Sequence, residues 1–145
     1  MNLNSIFKVT GSALNAQSVQ MEVISNNLAN ARIAAGSERS AFRAVRPVFA
    51  SILDSQFGGG FNSGVGRSKG GVKVDGFVYS KAPIEKQRMP ENPMADEDGY
   101  IYLSNVNVVE EMAYMMQASR AYQANIEVLN TSRQLVARTL NLGNV

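Results

Sequence analysis

The sequence contains no cysteine, no histidine and no tryptophan among its 145 residues. Without cysteine there is no disulfide framework and no thiolate chemistry. The missing histidine removes the usual general base, the most common zinc ligand and the catalytic triad together. The composition therefore argues against an enzyme and implies no metal or other cofactor.

Strong net charge and long apolar runs are also lacking. A formal charge of +2 is too small to indicate nucleic-acid binding, and no apolar run approaches membrane-spanning length. The N-terminus "MNLNSIFKVTGSALNAQS" has no basic region followed by an apolar one, so no cleavable secretory signal is expected. These rules alone would place the protein in the cytoplasm. What is present is a foldable composition, 45% hydrophobic and 18% charged.

The first periodic segment covers about residues 3 to 29 and is helical in pattern. Apolar residues recur every seven positions, with one neighbour on the same face: Phe7, Leu14, Met21 and Leu28, and beside them Ile24. Gly11 and several Ser and Asn residues lower the intrinsic helix propensity of the segment. This helix is therefore expected to need packing partners.

The clearest pattern covers about residues 107 to 142 and alternates spacings of four and three. Its members are Val108, Met112, Met115, Ser119, Tyr122, Ile126, Leu129, Arg133, Val136 and Leu140. A second set, from Tyr114 to Leu142, runs alongside it. Such a helix would be about 50 Å long. The sustained heptads predict that the N- and C-terminal helices pack as a coiled coil.

The middle of the chain has the period of strands instead. Residues 41–53 are predicted to be extended, with Pro47 at an edge or a bulge, and 72–79 and 100–103 are predicted to be strands. Residues 57–71 form a Gly-rich loop.

The fold class is thus mainly α, with a short antiparallel β region inserted between two long helices. Residues 1–31 and 105–145 are expected to form a discontinuous helical core, and residues 32–104 a small β-rich insert.

Three motifs could indicate a binding or catalytic site, but none of them has the residues that such a site requires. The Gly-rich loop lacks the phosphate-binding pattern because Lys69 follows Ser68 instead of a glycine. The stretch "MADEDG" resembles a calcium loop, but Met94 and Asn105 stand where carboxylates are needed. The acidic residues are interpreted as surface charges or as carboxylates at a helix N-terminus: Asp96, Glu97, Asp98, Glu110 and Glu111.

Each long helix carries two apolar stripes, whereas a single helix pair needs one stripe per helix. Part of the apolar surface therefore has no cover within one chain, which indicates an interaction site. Contacts between different faces of neighbouring copies do not close on themselves and can build helical filaments. The pattern points to a structural subunit that assembles with itself or with related chains.

Three stretches resemble the bacterial flagellar axial proteins, the family of rod and hook subunits. They are "ISNNLANA", "YLSNVNVVEEM" and "MMQASRAYQANIEVLNTSRQL". The stretch "ENPMADEDGYIYLSNVNVVEEM" narrows the resemblance to a proximal-rod protein of the basal body. The family motif near the N-terminus comprises Ser25, Asn26, Asn27, Leu28, Ala29 and Asn30.

The resemblance implies a structural rod subunit that transmits torque and lines the export channel. It implies export by the flagellar type III apparatus without a cleaved signal. The expected location is therefore the periplasmic rod and not the cytoplasm. The implied partners are other rod proteins and further copies of the chain, and also membrane-ring and rod-junction proteins. The expected assembly interface comprises Phe7, Leu14, Met21, Ile24, Leu28, Met112, Met115, Tyr122, Ile126, Leu129, Val136 and Leu140.

Two other classes stay open at this point. A cytoplasmic helical adaptor would bind a partner helix through a Met-rich groove formed by Met112, Met115 and Met116. A small hydrolase would need a metal or a buried carboxylate pair, and the sequence indicates neither.

The asparagines of "SNNLANA" also admit two interpretations. Leu28 still belongs to the apolar stripe, so the helix is expected to end at Asn30, within a residue or two. Asn26 and Asn27 would then lie on its last turn and face polar neighbours. There they could bond to the backbone of the same or an adjacent subunit and fix its register. The alternative is simple capping by Asn30.

Overall fold

The structure is a computed structural model that describes residues 3–52 and 70–142. Two long helices enclose five short strands in the order α1 (Leu3–Asn30), β1 (Ala34–Ala35), β2 (Val45–Ser51), β3 (Val72–Tyr79), β4 (Glu85–Arg88), β5 (Tyr100–Leu103) and α2 (Val108–Leu142). The two predicted helices are confirmed, and α1 ends at Asn30 as expected. Most of the predicted Gly-rich loop lies outside the described residues.

The antiparallel β region is confirmed and consists of two small sheets. Strands β1, β5 and β4 form a three-stranded sheet in that order, and β2 pairs with β3 in a two-stranded ribbon. The register of the ribbon shifts between Val48 and Phe49, one residue after Pro47. Both ribbon strands are edge strands, so the missing N–H of Pro47 is tolerated there.

The two helices pack against each other and run in opposite directions. Asn125 on α2 donates a hydrogen bond from Nδ2 to Oε1 of Gln17 on α1, at 3.0 Å. Near the other end, Ala31 just after α1 shares a small core with Val106 and Val108 at the start of α2. Neither helix in the described part combines the length and the apolarity that crossing a bilayer requires.

The start of α2 is fixed by local chemistry. The side-chain oxygen of Asn107 accepts hydrogen bonds from the backbone N–H groups of Val109 at 3.1 Å and Glu110 at 3.3 Å. This is the arrangement of an N-cap, which satisfies amides that have no partner within the helix. Glu110 and Glu111 lie in the first turn, where the helix dipole stabilises negative charge.

Candidate functional site

The end of α1 is joined to the β region by the side chain of Asn27, which is fully buried. Its Nδ2 donates to the backbone oxygen of Val45 at 2.9 Å, and the N–H of Val45 donates to its Oδ1 at 3.0 Å. One amide thereby satisfies both backbone groups of the first residue of β2. The contact fixes the position of the start of β2 relative to the last turn of α1.

Two further side chains bind the backbone beside this contact. The Oδ1 of Asn105 accepts the N–H of Ala44 at 2.8 Å, and its Nδ2 donates to the oxygen of Ala82 at 2.9 Å. Arg43 donates to the same oxygen of Ala82 at 3.2 Å and pairs with Glu38 at 3.2 Å. We call Asn27, Arg43 and Asn105 the polar joint. Together they connect four segments of the chain, at residues 27, 43–45, 82 and 105.

A second connection links β2 to the first turns of α2. Arg46 lies 3.2 Å from Glu111 and 3.4 Å from Glu110, and its guanidinium stands 4.6 Å from the centre of the Tyr114 ring. The Tyr114 hydroxyl donates to Glu110 at 2.8 Å, and that hydrogen bond raises the pKa of Tyr114. Glu111 is only 1% exposed, and its Oε2 has no hydrogen-bond partner among the residues that the structure describes. Sequence reasoning placed Glu111 correctly in the first turn but did not anticipate its burial.

The "MADEDG" stretch is a turn organised by its own backbone. Asp96 accepts the N–H of Tyr100 at 2.7 Å and the N–H of Asp98 at 3.1 Å. The bond from Tyr100 is the main reason that the pKa of Asp96 lies below its ordinary value. Gly99 closes the turn with φ of 76°, a conformation that L side chains rarely adopt. Among the described residues, no three acidic side chains converge closely enough to hold a metal ion.

The residues expected at the assembly interface do not share one environment. On α1, Ile24 is buried, and the others are half-buried: Phe7, Leu14, Met21 and Leu28. On α2 four are half-buried, namely Met115, Tyr122, Leu129 and Val136, whereas Met112 and Ile126 are exposed. The side chain of Leu140 lies outside the described residues. Their role in assembly stays a prediction.

The inward face of α2 is centred on a different heptad from the predicted stripe. Its members are small or polar and mostly buried: Glu111, Ala118, Asn125 and Ser132. Sequence reasoning placed Ala118, Asn125 and Ser132 in the second set that runs beside the predicted stripe, but it did not include Glu111 and assigned the interface to the more apolar stripe. The seven-residue spacing was the available signal, since Ala and Ser at a helix contact allow close approach.

Two family models match the chain, one near each end. A family model described as "Flagella basal body rod protein" matches residues 7–31, and one described as "Flagellar basal body rod FlgEFG protein C-terminal" matches residues 97–142. The chain is 43% identical over 143 residues to the "Flagellar basal-body rod protein FlgC" of Escherichia coli O6:H1 and to that of Salmonella typhimurium, covering 99% of both chains in each case. It is 34% identical over 150 residues to FlgC of Borreliella burgdorferi, covering 97% of both.

The chain belongs to the FlgC family of flagellar basal-body rod proteins.

Membership in the FlgC family confirms the resemblance that the motifs indicated. The first matched segment contains most of α1 and the whole "SNNLANA" motif, and the second contains β5 and α2. The polar joint draws Asn27 from the first segment and Asn105 from the second. The two matched segments therefore meet at the joint.

Proposed function

We propose that the chain is a structural subunit of the bacterial flagellar basal-body rod. It assembles helically with other rod proteins and with copies of itself, transmits torque and lines the export channel. The observation that carries the proposal is the 43% identity to FlgC proteins over nearly the whole chain, which includes both long helices and the β region between them. The adaptor interpretation is not favoured.

The helix pair and the β region are proposed to do different work. Residues 1–31 and 105–145 form the inner part, where copies pack as coiled coils around the channel. Residues 32–104 form the outer β-rich part, whose direction relative to the helices is set by the polar joint. The function is mechanical and uses no covalent chemistry, since a rod subunit transmits force through its contacts.

The proposed location is the periplasmic rod, reached through the flagellar type III apparatus without a cleaved signal. Membrane-ring and rod-junction proteins are the proposed neighbours beyond the rod itself. This proposal predicts that cells lacking the chain do not swim and build no complete rod.

Electron microscopy of isolated basal bodies tests the proposal, with the chain carrying a small epitope label in an otherwise normal strain. We expect the label to be confined to the rod, and an untagged strain provides the background. Normal swimming in the deletion strain, or a label that stays in the cytoplasm, would contradict the proposal.

A further inference from the structure

The outward face of α2 carries an apolar ridge that ends in a positive charge. We define the ridge as Val109, Met112, Met116 and Arg120. The two methionines are 55% and 58% exposed, and Val109 is exposed still more. At 3.6 residues per turn the four side chains share one side of α2, directly opposite buried Ala118. The ridge therefore points away from α1, and its apolar side chains are left exposed by the part of the chain that the structure describes.

The outward side of α1 carries a groove that contains a negative charge. One wall is the face of α1 between Val19 and Ala29, and the other is formed by Phe77 and Tyr79 of β3. The groove has a volume of about 660 Å³, and both aromatic side chains are more than half exposed. Among the described residues that line it, Glu22 alone is charged.

The two charges have no partner of opposite sign within the part of the chain that the structure describes. Glu22 forms no ion pair there, and neither does Arg120. They lie on opposite outer sides of the helix pair, because Glu22 faces away from α2 and Arg120 faces away from α1. They can therefore meet only between two copies.

The register of the helix pair places these two charged residues level with each other along the helix axes. The hydrogen bond between Gln17 and Asn125 shows which residues are level with each other. Glu22 lies five residues further along α1, and Arg120 lies five residues back along α2. Because the helices run in opposite directions, these two steps are equal and in the same direction, about 7.5 Å.

A neighbouring copy in the same orientation can thus be reached by a sideways displacement alone. Its Arg120 arrives opposite Glu22, and its Met116 arrives level with Asn26 in the groove. In this register Arg120 and Met116 lie along the α1 wall of the groove, whereas Met112 is level with Asn30 and Val109 with Ile33, beyond the end of that wall. Methionine sulfur also packs favourably against aromatic rings such as Phe77 and Tyr79.

We propose that the end of the ridge formed by Met116 and Arg120 docks into the groove of the laterally adjacent copy, with Arg120 pairing with Glu22 of that copy. The inference rests on the proposed function, since it assumes that copies stand side by side in a rod. The contact joins two different faces, so each copy still offers a free ridge and a free groove. Such heterologous contacts continue as an open row or helix.

Cross-linking in isolated basal bodies tests the pairing. The sequence has no cysteine, so Glu22→Cys and Arg120→Cys introduced together provide the only two thiols of the chain. A bismaleimide too short to cross the helix pair should join one copy to the next. We expect dimers and a ladder of higher multiples, and neither single-cysteine variant should produce a ladder.

The matched control combines Glu22→Cys with Arg138→Cys. Residue 138 lies on the same side of α2 as residue 120 but about 27 Å further along the helix. This control should give no ladder. If the Glu22→Cys, Arg120→Cys chain is present in basal bodies but forms no cross-link, the proposed docking is wrong. A cross-linked product whose mass is that of one copy plus a different protein would show that a second copy does not occupy the groove. A chain that is absent from wild-type basal bodies contradicts the proposed function itself.

Charge reversal gives an independent readout if the cysteine variants do not assemble. Glu22→Arg alone and Arg120→Glu alone should each lower the number of basal bodies about tenfold, because like charges then face each other. The two reversals together should restore the number to within about twofold of wild type. The pair Arg88→Glu and Glu91→Arg, exposed residues away from both surfaces, serves as the control. Failure of the double reversal to improve on the single ones would overturn the pairing.

Discussion

At the scale of single residues, Asn27 makes the contact that is hardest to replace. It donates to the oxygen of Val45 and accepts from its N–H, and the side chain is completely buried. A neighbouring Asn26 is exposed and only accepts a bond from Asn30. The two adjacent amides therefore have different roles, although the motif alone presents them as a pair.

We predict that Asn27→Ala destabilises the polar joint by about 2–3 kcal/mol, because two backbone groups of Val45 lose their partners in a buried place. Basal bodies per cell and swimming in soft agar should both fall, more steeply at raised temperature. Asn30→Ala should cost about 1 kcal/mol, as losses at helix ends do. The wild-type chain is the control, because Asn26 itself lines the groove. If Asn27→Ala assembles as well as the wild type does, the joint has no such role.

The turn around Asp96 has a predictable dependence on pH. The backbone N–H of Tyr100 lowers the pKa of Asp96 below its ordinary value of 3.8. A carboxyl whose folded pKa is lowered stabilises the fold above its unfolded pKa, and this contribution is lost as pH falls through the folded value. Carbon-13 NMR of the Asp96 carboxyl should give a midpoint below 3.8. Denaturation with urea should remove the shift, and a folded-state midpoint at or above 3.8 would contradict the prediction.

How much a residue's role could be read from the sequence depended on how local its partner is. The end of α1 at Asn30 and the turn at Asp96 rest on neighbours within four residues, and both were predictable. The partner of Asn27 is Val45, which lies 18 residues away and belongs to another element. Glu111 has its ion-pair partner, Arg46, on the distant strand β2, and sequence periodicity does not encode that contact.

At the scale of elements, the strand β2 is tied to α2 through a buried carboxylate. Arg46→Leu would leave Glu111 without its positive partner at 1% exposure. We expect a loss on the order of 3 kcal/mol, because an uncompensated buried charge is costly. Isolated basal bodies carrying the variant should release the chain at a lower temperature.

Adding Glu111→Gln to Arg46→Leu should recover most of that loss, since the buried group is then uncharged. Glu110→Gln is the matched control, because Glu110 contacts the same Arg46 from an exposed position and should cost less than about 1 kcal/mol. Equal effects of Arg46→Leu with and without Glu111→Gln would show that the charge of Glu111 is not the cause.

The elements were predictable where the sequence carries a clear apolar pattern. Both helices agree with the sequence pattern to within a residue, and β3 and β5 match residues 72–79 and 100–103. Strand β1 has two alanines and β4 reads Glu-Lys-Gln-Arg, so neither has an alternating apolar pattern to detect. Both depend on pairing with β5, which is a tertiary contact.

The apolar stripe of α2 leads to a prediction about assembly. Ile126 is partly exposed in the single chain, beside half-buried Tyr122 and Leu129. Ile126→Asp would place a charge in the contact between copies, at a cost of several kcal/mol if neighbours bury it. Swimming should be lost while fractionation still finds the exported chain in the periplasm. Asp98→Ala, in an exposed turn, should swim normally, and so a swimming Ile126→Asp strain would contradict the packing.

At the scale of the whole molecule, the two long helices cover only one side of each other. Large apolar side chains on α2 stay exposed in the single chain, among them Val109 at 77%, Met116 at 58% and Leu135 at 56%. An isolated copy therefore lacks much of the burial that offsets the conformational entropy of ordering the helices.

The last prediction follows from this deficit. In dilute solution the two terminal helices, 28 and 35 residues long in the structure, should be largely unfolded. Their intrinsic propensity is low, and helix formation without tertiary packing is marginal. Far-UV circular dichroism at low protein concentration should give much less helix than those residues would supply. The signal should increase with concentration as copies begin to cover one another, and the Glu22→Arg variant should weaken that increase. A concentration-independent spectrum that already accounts for both helices would mean that the helix pair is stable alone, and assembly would then not be what folds it.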